Sequence, residues 1–123
     1  MRASQFLVPF LLFFHVVTFG QSNGIETALQ KGKATDLGLY FSRTVEIAYP
    51  GVEDSYSADD AVVKLDEFFA QQTVKGYKRV HLSSPQEGRS NFTIGDLYTA
   101  NGTYRISLYF DTEHKITEVR IQK

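Results

Sequence analysis

The sequence predicts an α+β domain in which a curved antiparallel sheet wraps over one long helix, with short helices ahead of it. Three observations lead there. Ala61, Val62, Leu65, Phe68 and Phe69 recur at three- and four-residue steps, which places them on one face of a 3.6-residue repeat. Beyond Tyr77 the apolar pattern switches to period two and keeps it to the C-terminus. Helical segments come early and the strands after the long helix run consecutively, which is the order of an α+β domain and not of alternating βα units.

The first twenty residues stand apart in composition. Arg2 precedes an apolar run from Phe6 to Phe19, and small or polar residues follow at Thr18, Gly20 and Gln21. This is the pattern of a secretory signal peptide, cleaved after Gly20 to leave one domain over 21–123 in the periplasm or the extracellular space. The run is too short for a comfortable span, which needs about 20 apolar residues, and no cysteine follows it to carry a lipid, so no stable membrane anchor is expected.

Each element has its own local cause. Asn23 and Glu26 bracket a capping box for a first short helix, which Lys31-Gly32 ends. A further helical turn or two from Thr35 carries Leu37, Tyr40 and Phe41. Arg43 to Tyr49 alternates as a strand, Pro50-Gly51 turns the chain, and Asp54 to Tyr56 pairs back. The long helix spans Ser57 to Thr73, with Ser57 as N-cap, Asp59 and Asp60 against the positive end of the dipole, and Gly76 as the stop. Tyr77 to Ser83 is a strand, Ser84 to Gly88 a polar loop, and Ser90 to Ala100 a second strand. Leu97 falls out of phase with Phe92 and Ile94, which predicts a bulge at Gly95-Asp96. Asn101-Gly102 predicts a type I′ hairpin. Tyr104, Ile106, Leu108 and Phe110 then point inward, and a last turn over Asp111 to His114 leads to a final strand with Val119 and Ile121 inward.

Composition narrows the chemistry. Without the leader, twelve basic residues face fourteen acidic ones, a balance that argues against a nucleic-acid partner, whose footprint would be basic. The absence of cysteine excludes disulfide staples, thiol catalysis and cysteine metal sites. Only His81 and His114 remain after cleavage, with no H-x-H or H-E-x-x-H spacing, so no metal site is expected. No phosphate-cradling glycine loop and no G-x-S-x-G elbow occurs, and no cofactor is expected.

Taken together, Leu29-Gln30-Lys31-Gly32-Lys33-Ala34, Leu37, Tyr40-Phe41, Tyr56-Ser57, Phe68-Phe69, Ile94-Gly95-Asp96-Leu97 and Asn101-Gly102-Thr103-Tyr104-Arg105 give the chain a resemblance. It resembles the cystatin-like architecture of the nuclear transport factor 2 superfamily and, more narrowly, a family of uncharacterised small secreted bacterial proteins with that fold. The resemblance covers nearly the whole mature chain. It implies a fold and a compartment and no particular reaction, because the superfamily holds both enzymes and non-catalytic binders.

A domain of that shape implies a cavity between helix and sheet, for which Tyr40, Tyr49, His81 and Asp96 are the candidate lining residues. In an enzyme of the isomerase or lyase type, Asp96 or His81 would be the general base and a tyrosine the oxyanion donor. If both face solvent, that version loses its base. Ordinary structural roles are available to all four, as core-edge tyrosines, an outward strand histidine and a bulge aspartate, and no catalytic residue is assigned. Arg79, Arg105, Tyr109 and Arg120 are expected on one sheet face, where they form either a plain solvated surface or an interface for a protein or a second copy of the chain. The reading is a non-catalytic domain that binds a small molecule or a protein, and the small cavity enzyme is the alternative.

Overall fold

The computed structural model describes residues 20–83 and 91–123, with side chains from Gly24 onward. The expected leader through residue 19 and the polar loop Ser84–Gly88 lie outside the described residues. The described elements are α1 (Gly20–Lys31), α2 (Ala34–Gly38), β1 (Phe41–Tyr49), β2 (Val52–Ser57), α3 (Ala58–Gln72), β3 (Val74–Leu82), β4 (Asn91–Thr99), β5 (Gly102–Phe110) and β6 (Ile116–Gln122). Among the described residues no helix is long and apolar enough to cross a membrane.

The strands form one six-stranded sheet in the order β2-β1-β6-β5-β4-β3. Every neighbouring pair is antiparallel except β1 and β6, which run parallel, so the expected antiparallel sheet is a mixed one. The parallel pair joins the first strand of the chain to the last. Ile47 lies opposite Val119 there, and the Ile116 amide donates to the Tyr40 carbonyl at 2.7 Å. That bond explains why β1 begins at Phe41 and why Tyr40 and Phe41 do not extend α2: Phe41 is buried opposite Ile116.

α3 lies on the inner face of the sheet. Its stripe of Ala61, Leu65, Phe68 and Phe69 is buried, as the period requires, and Val62 is half-buried beside it. The Ser57 hydroxyl accepts the Asp60 amide at 3.2 Å, a side-chain N-cap. The helix ends at Thr73, which takes a left-handed conformation with φ 58° and donates its amide to the Phe69 carbonyl at 2.9 Å, so Gly76 already lies within β3. Phe68 stacks edge-on to Tyr104 of β5 at 5.3 Å between centroids and packs against Tyr49 of β1 at 4.9 Å. These contacts tie the helix to both halves of the sheet.

Two local expectations are corrected. β4 pairs with β5 in unbroken register from Asn91 to Thr99, so Gly95-Asp96 is not a bulge. On its other side β4 meets two register breaks, both with the extra residue on β3, at Lys75 and at Val80. Leu97 is buried while Phe92 and Ile94 turn to the opposite face, because an outer aromatic row has its own partners across the strands. The hairpin between β4 and β5 turns on Ala100 and Asn101, one residue ahead of the expected type I′ pair, with Gly102 alone at positive φ, 122°. Tertiary contacts set that register. The Ala100 amide donates to the Gln72 and Thr73 carbonyls at the end of α3, and the Asn101 side-chain amide donates to Gln72 Oε1 at 3.0 Å.

Candidate functional site

A cavity of about 300 Å³ opens between α1 and the end of the sheet formed by β3, β4 and β5. α1 contributes Ile25 and Glu26, which are adjacent on the helix surface turned to β3. From β3 come Tyr77, Arg79 and Leu82, followed by Ser83. Asn91 and Thr93 come from β4, Phe110 from the end of β5, and His114 from the turn after it.

The break at Val80 is what aims these side chains. In β3, Arg79 lies opposite Gly95 and His81 opposite Ile94, so one extra residue intervenes on the β3 side. Period two would otherwise put Arg79 and His81 on the same face and Leu82 on the other. With the bulge, Tyr77, Arg79 and Leu82 all reach the cavity and His81 turns away from it.

Arg79 Nη1 meets Glu26 Oε2 at 2.8 Å, a strand-to-helix ion pair across the cavity wall in which Arg79 is exposed and Glu26 half-buried. Tyr77 is buried at its base. Burial pushes its phenol up to about 12, Glu26 adds to the shift and Arg79 opposes it, so the side chain stays a neutral hydrogen-bonding group at any physiological pH. Its ring lies over Gly95, where a Cβ would collide with it. The Ser83 hydroxyl accepts the Phe92 amide at 2.8 Å, which fixes it beside the cavity and leaves its own hydrogen to donate. The His114 amide donates to the Asp111 carbonyl, and the residue sits exposed on the rim at φ 64°.

None of the four residues expected in the cavity lines it. Tyr40 packs half-buried against the core ahead of β1. Tyr49 lies on Phe68 and donates its hydroxyl to the Lys64 carbonyl at 3.3 Å. Burial, with Glu67 beside it, raises its pKa. His81 stacks on Phe92 on the outer face of the sheet. Asp96 is on that face too, bound to Arg105 Nε at 3.0 Å. Neither His81 nor Asp96 can therefore serve as a general base in the cavity, whose own titratable side chains besides Tyr77 and Arg79 are Glu26, paired with Arg79, and His114 on the rim.

The expected arginine face is also divided. Arg105, Tyr109 and Arg120 do share the outer face, where Arg120 pairs with Glu118 at 2.8 Å and with Glu53 at 3.7 Å. Arg79 belongs to the inner face, two residues after Tyr77 in unbroken register, and the bulge that follows parts it from His81. The outer face carries a row of three rings instead: His81 to Phe92 at 5.4 Å, and Phe92 to Tyr109 at 5.9 Å.

The residues that line the cavity were not legible as a motif, since they come from four elements and from positions 25 to 114. One signal pointed at Tyr77: an aromatic residue two pairs along from an interior strand glycine can lie across it, so that Gly95 marks a ring seat as readily as a bulge.

A helix-backed, curved six-stranded sheet with a cavity at one end defines a cystatin-like, nuclear transport factor 2-like α+β domain. The chain belongs to the DUF4783 family, a domain of unknown function, whose pattern its residues 22–122 match. A DUF4783 protein of Bacteroides fragilis YCH46 is 31% identical, with a TM-score of 0.73 over 81% of this chain and 95% of that one. Farther off, an uncharacterised protein with a cystatin-like fold from Silicibacter pomeroyi has a TM-score of 0.59 at 10% identity, over 81% of this chain and 70% of that one. SalBIII, an epoxide hydrolase/cyclase-like enzyme of pyran ring formation in salinomycin, has a TM-score of 0.57 at 17% identity, over 78% and 81%. Both distant likenesses are likenesses of fold. No curated protein matches the chain.

Proposed function

We propose that this chain is an exported, non-catalytic domain that holds a small molecule in the cavity between α1 and the β3–β4–β5 end of the sheet. The observation that carries the reading is the cavity itself: about 300 Å³, walled by Ile25 and Phe110, with Tyr77, Ser83 and Thr93 as polar points. Volume and lining of that kind suit a compact ligand fixed by a few hydrogen bonds. The group with the largest pKa shift there, Tyr77, is locked in its neutral form, which suits orienting a ligand and not abstracting a proton. The likeness to SalBIII extends to the fold and brings no catalytic residue with it. Export rests on the composition of the leader: Arg2, the apolar run, and Thr18 and Gly20 before the cut.

A second reading, a protein partner or a second copy on the outer sheet face, is favoured by the His81–Phe92–Tyr109 row flanked by Arg105 and Arg120. Aromatic and arginine side chains are the usual anchors of interfaces. Amide chemical-shift mapping with a set of small fragments tests the two against each other. The cavity reading expects shifts at Ile25, Tyr77, Thr93 and Phe110. Shifts confined to His81, Phe92 and Tyr109 would move the function to the outer face.

A further inference from the structure

We propose that the cavity selects an uncharged molecule, apolar along most of its length with one hydrogen-bonding end, and discriminates against carboxylates and other anions. The inference rests on the ligand-binding reading and adds the chemical class. Its basis is the state of Arg79, the one arginine among the described residues of the wall. Arg79 is the group that would ordinarily recruit an anion, but Glu26 of α1 already holds it at 2.8 Å. An incoming carboxylate would have to displace Glu26 and leave that charge unpaired beside the apolar Ile25, or enter with Arg79 already engaged and, among the described residues of the wall, only the exposed His114 on the rim left to meet it. Either course sets a charge against apolar surface without a full partner, a cost that a neutral ligand avoids and that the 37% and 30% exposure of the Arg79 and Glu26 side chains moderates.

The remaining lining agrees with this. Ile25, Leu82 and Phe110 offer apolar surface, Tyr77, Ser83, Asn91 and Thr93 offer neutral hydrogen-bonding groups, and His114 stands exposed on the rim and not in the wall between them. Leu82 is 56% exposed, an aliphatic side chain left in water at the edge of the cavity, where an apolar guest would cover it. The volume, about 300 Å³, suits a compact guest of roughly two or three small rings.

Two fluorescent probes that share a ring system test the proposal: neutral N-phenylnaphthylamine and the anionic anilinonaphthalene sulfonate. Both are titrated into the whole mature chain at about pH 8, where a free imidazole is uncharged. The neutral probe is expected to bind at least about tenfold more tightly. Glu26→Gln, which frees Arg79, is expected to narrow that ratio by about tenfold through a gain for the sulfonate. Thr93→Tyr, which fills the cavity from β4, is expected to abolish binding of the neutral probe. Sulfonate binding as tight as the neutral probe's on the unaltered chain, and lost in Thr93→Tyr, overturns the selectivity and leaves the cavity reading standing. Binding of neither probe, or binding that Thr93→Tyr leaves intact, overturns both.

Discussion

The ring of Tyr77 lies across Gly95 on the neighbouring strand, in the space a Cβ at that position would occupy. One contact thereby sets the floor of the cavity and explains an interior strand glycine. Gly95→Ala forces the ring off its seat. It is expected to destabilise the fold by about 1–3 kcal/mol, the usual cost of overpacking a filled site. Urea unfolding midpoints measure this, and Tyr77→Leu in the same chain is expected to recover part of the loss.

The same burial gives stability a dependence on alkaline pH. Tyr77 titrates at about 12 in the folded chain against an ordinary 10.0. Below 10.0 both states hold the proton and the contribution is constant. Between about 10 and about 12 the unfolded chain releases it and the folded chain does not, so the unfolded state gains and stability falls as pH rises. Tyr77→Phe is expected to remove that part of the fall. Denaturant midpoints taken across this range, with ultraviolet titration of tyrosinate, check it.

Thr73 closes α3 at φ 58°, a conformation in which a β-branched side chain is strained. Its backbone carbonyl accepts the Ala100 amide, a bond any residue would keep. Thr73→Gly is expected to stabilise the chain by about 0.5–1 kcal/mol, the relief of strain outweighing the added freedom of the unfolded chain. A rise in the thermal midpoint would show it, and a fall would mean that the threonine side chain holds the cap.

Asp96 and Arg105 form a cross-strand ion pair on the outer face, with the Arg105 side chain 53% exposed. Such pairs contribute about 0.2–1 kcal/mol and weaken with salt. Asp96→Asn is expected to cost no more than that and to leave probe binding in the cavity unchanged. A loss of binding in this variant would reinstate Asp96 as a functional group.

The architecture was legible in the sequence where one periodicity ran without interruption. Ala61, Leu65, Phe68 and Phe69 fixed the inner face of α3, and Tyr104, Ile106 and Leu108 fixed that of β5. What escaped the sequence depended on single-residue events on strands. The bulge at Val80 puts Arg79 and His81 on opposite faces, and nothing in the apolar pattern of so polar an edge strand announces it. Phe92 and Ile94 look like core residues by type, yet the ring row on the outer face claims Phe92. The Asn101-Gly102 turn was displaced by its bonds to the end of α3, a tertiary contact overriding a local preference.

Native mass spectrometry of the chain exported and cleaved by a bacterial host, compared with its own denatured mass, tests the central claim most directly. The account predicts a denatured mass that begins at Gln21, a small neutral excess mass in the native spectrum that disappears on denaturation, and no such excess in Thr93→Tyr. A bare native mass that stays bare after incubation with extract of the same host would contradict it.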